Sequence, residues 1–73
     1  MVLLSSVQPG TSGVITALAT DDPAMINRLL ALGISPGNRI YLEQRFPAYI
    51  IRMGQSRASL DQAIANTIYI QPS

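Results

Sequence analysis

Few side chains in this sequence can do chemistry. There is no histidine and no cysteine, which removes the usual general base, the thiolate nucleophile and the soft metal ligands together. The carboxylates are Asp21, Asp22, Glu43 and Asp61. Only Asp21 and Asp22 are adjacent, and they could form an acid–base dyad or give two oxygen ligands to a cation such as ferrous ion. A local role competes with both. Asp22 stands just before Pro23, where a carboxylate accepts the free N–H groups of a first helical turn and proline needs no N–H of its own. No third ligand is evident beside the pair, so capping is preferred and Asp21 and Asp22 remain weak metal candidates. Ser5, Ser6 and Ser56 have no partner base. Tyr41, Tyr49 and Tyr69 lie in strand-like runs where packing accounts for them. Met1, Met25 and Met53 read as start residue, helix stripe and core. The Pro9–Gly13 stretch has glycines but lacks the lysine and following helix of a phosphate loop, and reads as a hairpin loop. No enzyme is expected.

All five cations are arginines, suited to planar paired contacts. Arg39, Tyr41 and Arg45 share the outer face of one strand, with Arg52 and Arg57 as possible neighbours. A single-stranded nucleic acid could use such a face. Glu43 stands in the middle of the row, however, and an ion-paired solvated face is the preferred reading. Net charge is only +1, too weak to argue for nucleic acid or a membrane surface.

The elements that position these groups are marked by their ends. Asp22 to Gly37 reads as one helix, about Pro23–Leu32, with Asp22 as N-cap. Met25, Ile26, Leu29 and Leu30 fall at helical spacing, extended by Leu32 and Ile34. Gly33 suits the left-handed residue that ends a helix, Ile34 its hydrophobic partner, and Pro36-Gly37 a turn that forbids restart. This helix is expected to plug or cover a small β structure.

Elsewhere the pattern is strand and turn. Val2-Leu3-Leu4 reads as either a short strand or a segment against the floor of the fold. Val14–Ala19 reads as a strand, opened by Gly13 at a bulge or a close backbone approach. From Arg39 to Phe46 the alternation is regular: Ile40, Leu42, Gln44 and Phe46 face in, and Arg39, Tyr41, Glu43 and Arg45 face out. Tyr49, Ile51 and Met53 line the inner side of the return strand, Ala58 and Leu60 that of the next. Asp61 caps a helical turn near Asp61–Ala65, and Ile68 and Ile70 point inward from a closing strand. Five or six short strands with one helix describe a mainly β small barrel, which hides most of its edges.

The chain of 73 residues is expected to form a single domain, residues 1–73, near the lower limit for a self-sufficient core. Its residues are 48% hydrophobic and only 12% charged, so some apolar surface should remain exposed and available for docking. The opening Met1–Leu4 run is too short for a signal peptide, and no apolar run spans a bilayer. A cytoplasmic protein is expected.

Leu4, Pro9-Gly10, Gly13 and Ile15, followed by the run Arg28-Leu29-Leu30-Ala31-Leu32-Gly33-Ile34-Ser35-Pro36-Gly37, resemble the FeoA family. The closing Leu60, Ala65, Ile68 and Ile70 are similar to its ending. The resemblance covers nearly the whole chain. It departs at Asp61, where the family often has arginine; at Ile64, usually acidic; at Phe46-Pro47-Ala48, often a Gly-Pro or Gly-Gly step; and at the Gly54-Gln55 turn, displaced by about one residue. The same barrel resembles the C-terminal domain of metal-dependent repressors, which carry a helix-turn-helix this chain lacks.

The resemblance implies an SH3-like barrel that docks on and regulates FeoB, the ferrous iron transporter, through its cytoplasmic nucleotide-binding region. No cofactor is expected, and association with Fe2+ (metal ion binding in the family sense) rests on the resemblance alone. Membrane contact would come only through the partner, and no nucleic acid is expected. The helix stripe is broader than one core contact needs, which leaves either a helix buried on two sides or one side for a partner. Met25, Arg28 and Leu29 are the candidate contacts, with Tyr41 and Arg52 as a second patch. A general SH3-like adaptor and a small-barrel nucleic-acid binder are the alternatives.

Overall fold

The computed structural model describes residues 1–73. The elements in chain order are β1 (Val2–Leu3), a 3-10 turn (Leu4–Ser6), β2 (Ser12–Leu18), α1 (Pro23–Ala31), β3 (Arg39–Gln44), β4 (Tyr49–Met53), β5 (Ser56–Leu60), α2 (Gln62–Ala65) and β6 (Ile68–Pro72). The six strands form one antiparallel sheet in the order β1-β6-β2-β3-β4-β5. Alternate residues of β2 to β6 send Ile15, Ile40, Leu42, Tyr49, Ile51, Leu60, Ile68 and Ile70 into a single core of 13 residues. A sheet whose inner face meets in one cluster is curled around it, which is the small barrel expected from the period-two runs. Its two end strands, β1 and β5, are not paired with each other. The 3-10 turn packs against α2, and Leu4, Ile64 and Ala65 add their buried side chains to the core.

Helix α1 carries the capping chemistry its sequence specifies. Asp22 Oδ1 accepts the Ala24 N–H at 3.0 Å, with Pro23 at the first helical position. At the other end the Gly33 N–H donates to the Leu30 carbonyl at 3.0 Å and the Ile34 N–H to the Leu29 carbonyl at 2.9 Å. This is a Schellman stop, with Gly33 at φ +85°. Its hydrophobic pair, Leu29 and Ile34, is fully buried. The turn beyond is fastened to β2: Gly37 N–H donates to Ile15 O at 2.8 Å, and Ile15 N–H to Asn38 O at 2.9 Å. Asn38 Nδ2 also donates to the Gly33 carbonyl at 2.8 Å. Residues 28–37 therefore act as one unit, a helix end clamped to a strand.

Asp61 does the same for α2, accepting the Ile64 N–H at 2.8 Å and so holding Ile64 and Ala65 in the core. Asp61→Ala is expected to lower stability by about 1 kcal/mol, and Asp22→Ala by a similar amount. Asp21→Ala, at an exposed residue that caps nothing, should stay within roughly 0.5 kcal/mol of the parent. Urea midpoints of the three variants check this ordering.

Register shifts at two places, between Ile15 and Ala17 of β2 against β6 and between Leu42 and Gln44 of β3 against β4; the second upsets the expected alternation. Leu42 pairs with Ile51 but Gln44 pairs with Ile50, so Glu43 is an extra residue in β3. A bulge of this kind shifts every following side chain by one position. Phe46, expected on the inner face, is 84% exposed. Gln44 is only half-buried, its Nε2 donating to the Ala48 carbonyl at 3.3 Å. Arg45, expected on the solvated outer row, turns back instead. It donates to the Val7 and Ser5 carbonyls at 3.3 and 3.1 Å, bracing the 3-10 turn.

Candidate docking surface

The outer face of β3 and β4 is built by register. Tyr41 lies opposite Arg52 on β4 and opposite Ser12 on β2, and Arg39 precedes Tyr41 on the same face. Glu43 completes the row, with Oε2 2.7 Å from Arg57 Nη2 and Oε1 3.6 Å from Arg52 Nε. The shorter pair makes Glu43 chiefly the partner of Arg57. Both pairs are solvent-exposed and add little to stability. Arg39 has no carboxylate partner; its Nη2 donates to Ser73 Oγ at 2.9 Å.

Two shallow hollows open here. One, of about 430 Å³, is lined by Ser12, Arg39, Ile40, Tyr41, Arg52 and Gly54. The other, of about 340 Å³, is lined by Leu32, Gly33, Asn38, Arg39, Met53, Gly54 and Ser56. Arg39 and Gly54 belong to both, so the hollows meet as one trough from the end of α1 to the β3–β4 face. The clamp between the helix end and β2 sets this meeting, because it fixes Leu32 beside the start of β3. Arg39 and Arg52 lie together at one end of the trough; at the other, Leu32 and Met53 form an apolar pair among Asn38, Arg39 and Ser56.

The residues singled out in the sequence fall into different places. Tyr41 and Arg52 come together as cross-strand partners on the trough. Arg28 is exposed and lies one helical turn before Leu32, so it adjoins the apolar end. Met25 is half-buried and packs against the core. Leu29 has no exposed surface; it anchors the helix and offers nothing for a partner to touch. The side of α1 left uncovered carries Leu30, 47% exposed, with Leu32 at its end, 40% exposed. Asp22 is the helix cap and Asp21 an exposed loop residue. No three His, Cys, Asp or Glu side chains gather in a group that could hold a metal ion.

Three surface residues escaped the sequence reading as site residues. Arg39 was legible as outward-facing, but its junction position depends on the turn that brings Leu32 alongside. Leu32 read as part of the apolar stripe, and only the Schellman stop turns it out. Phe46, at the far end of the β3–β4 hairpin from Gly54, is exposed because β3 ends at Gln44 and it lies in the bend before Pro47.

The fold and sequence both have counterparts. A Leptolyngbya boryana protein assigned as Fe(2+) transport protein A is 25% identical over 71 residues, covering 96% of this chain and 87% of its own. The crystal structure of an iron uptake regulatory protein, FeoA, superposes with a TM-score of 0.90 at 22% identity, covering 99% of this chain and 96% of that one. The zinc complex of Stenotrophomonas maltophilia FeoA, described as a prokaryotic SH3 domain protein, gives a TM-score of 0.83 at 21% identity, covering 97% and 91%. The curled sheet is thus SH3-like. The FeoA domain family matches residues 2–72, all but the terminal residues, and this chain belongs to the FeoA family.

Proposed function

We propose that this chain is a non-enzymatic accessory protein of ferrous iron uptake, working in the cytoplasm by docking on a FeoB-type transporter and regulating it. Family membership supports the system. The observation that carries the docking reading is the trough, where exposed apolar groups at a helix end run into unpaired arginine beside an exposed tyrosine. Arginine and tyrosine around an apolar centre are the residue types that dominate protein interfaces. Arg28, Leu32, Tyr41 and Arg52 make the contact, and Met25 and Leu29 hold the helix against the core. Glu43, ion-paired within the arginine row, weighs against a nucleic-acid groove. No helix is long and apolar enough to cross a membrane.

Regulation requires that the docked protein bind two states of the transporter unequally, since equal binding shifts nothing. Titration of labelled protein with the transporter's cytoplasmic nucleotide-binding region, with each guanine nucleotide in turn, should move the amides of the trough and depend on the nucleotide. Arg28→Glu and Leu32→Asp, both at exposed positions, should each weaken binding about tenfold while the amide spectrum shows an intact fold. Full-affinity binding by both folded variants, or shifts confined to another face, would sink the site assignment. Absence of any shift with the region would leave the family and fold without this partner contact.

A further inference from the structure

The chemistry of the trough specifies more than a protein surface. Arg39 and Arg52 line the same hollow, and neither hollow is lined by a carboxylate. Arg39's guanidinium has only a serine hydroxyl as polar partner, and Arg52's nearest carboxylate is already held more closely by Arg57. Around this end of the trough three guanidiniums, Arg39, Arg52 and Arg57, share the one side-chain carboxylate of Glu43. Each guanidinium presents a planar fork of donors that matches a carboxylate, and Tyr41 stands between them with its ring partly exposed. Arg39 also lines the neighbouring hollow, where Leu32 and Met53 are the apolar pair.

We infer that the trough is a receptor for an extended acidic peptide segment, with a side-chain carboxylate between Arg39 and Arg52 and an apolar residue against Leu32 and Met53. The inference rests on the docking reading above and names the chemistry of its partner: a segment rich in Asp or Glu next to a large aliphatic residue. Charge complementarity selects this occupant over a basic or neutral segment. One carboxylate needs only the two guanidiniums, whereas a nucleic acid needs a continued cationic track, which Glu43 interrupts.

The test uses the whole protein and a blocked synthetic peptide carrying one leucine and a pair of glutamates a few residues apart. Amide shifts should centre on Leu32, Arg39, Tyr41, Arg52 and Gly54. The same peptide with glutamines for glutamates should bind about tenfold more weakly, and Arg39→Gln and Arg52→Gln should each reproduce that loss. Both arginine side chains are exposed, so these variants keep the fold, which their amide spectra verify. Equal binding of the glutamine peptide, shifts away from the trough, or the same shifts from inorganic phosphate at equal concentration would overturn the proposal. A parallel titration with the transporter region separates the two readings. Peptide binding without region binding retains the acidic-segment receptor and removes the transporter contact; region binding with a silent peptide does the reverse.

Discussion

Leu29→Asp is expected to leave no folded protein. Leu29 has no exposed surface, lies in the core with Ile34, and its carbonyl accepts the Ile34 N–H that ends the helix. Removing a buried leucine side chain alone costs about 2–5 kcal/mol. A carboxylate in its place has no cation or donor waiting in an apolar cluster, and an unpaired buried charge adds several kcal/mol more. A chain of this size has roughly 4–11 kcal/mol of stability in total, at about 0.05–0.15 kcal/mol per residue. The sum exceeds the lower half of that range and approaches its top. Circular dichroism and amide dispersion should show an unfolded chain at room temperature. Leu30→Asp, one residue on but largely exposed, should fold with a urea midpoint close to the parent. A cooperatively folded Leu29→Asp within 1 kcal/mol of the parent would refute the packing account. The contrast also decides how binding is probed: a loss of binding in Leu29→Asp would report unfolding, while Leu32→Asp reports contact.

Gly13→Ala is expected to be the most damaging single-methyl change in the sheet. Gly13 faces Ile40 on β3 and Pro72 on β6, held between two neighbouring strands. A Cβ there would lie 2.5 Å from the Gln71 carbonyl oxygen, 3.0 Å from its carbon and 3.1 Å from Pro72 Cα. Every one of these is backbone, so no side-chain rotation relieves the clash, and β2 and β6 must move apart. Overpacking of a close-packed site costs about 1–3 kcal/mol and more where the backbone cannot yield. Because β6 also carries β1, the opening weakens both ends of that sheet flank. Amide exchange should speed up in β1, β2 and β6 and change least in β4 and β5. Gly33→Ala is a useful comparison. Nothing lies near its Cβ position, and the cost is the left-handed backbone alone, about 1–2 kcal/mol. A Gly13→Ala variant as stable as the parent would show that the two strands have slack the close approach denies.

What the sequence made legible was what neighbours in the chain decide. The helix was readable at both ends because Asp22, Pro23, Gly33 and Ile34 act within one turn of themselves, and each makes the expected contact. Ile40, Leu42, Tyr49, Ile51, Leu60, Ile68 and Ile70 were readable as core because period two is a property of a strand alone. Phe46 was misplaced because the strand ends at Gln44, after the bulge at Glu43, and the alternation does not reach the bend before Pro47. Arg45 was misplaced for a related reason: the carbonyls it braces, at Ser5 and Val7, are distant in sequence. The trough was half legible. Tyr41 and Arg52 could be named as outward residues, but Arg39 as the junction with Leu32 required the three-dimensional path from helix to strand.

Strand order has a consequence while the chain is being made. β6 is the last strand to leave the ribosome, yet it lies between β1 and β2 and is the only partner β1 has. Until Ile68 to Pro72 emerge, Val2 and Leu3 have nothing to pair with, and one flank of β2 stays open. The β3–β4–β5 meander, whose pairings are local, can assemble early; the rest of the barrel waits on the most distant contacts in the molecule. The nascent chain therefore holds Ile15 and its neighbours uncovered until β6 has emerged. The interval before β6 emerges is when a holding chaperone or an unwanted strand partner would meet it.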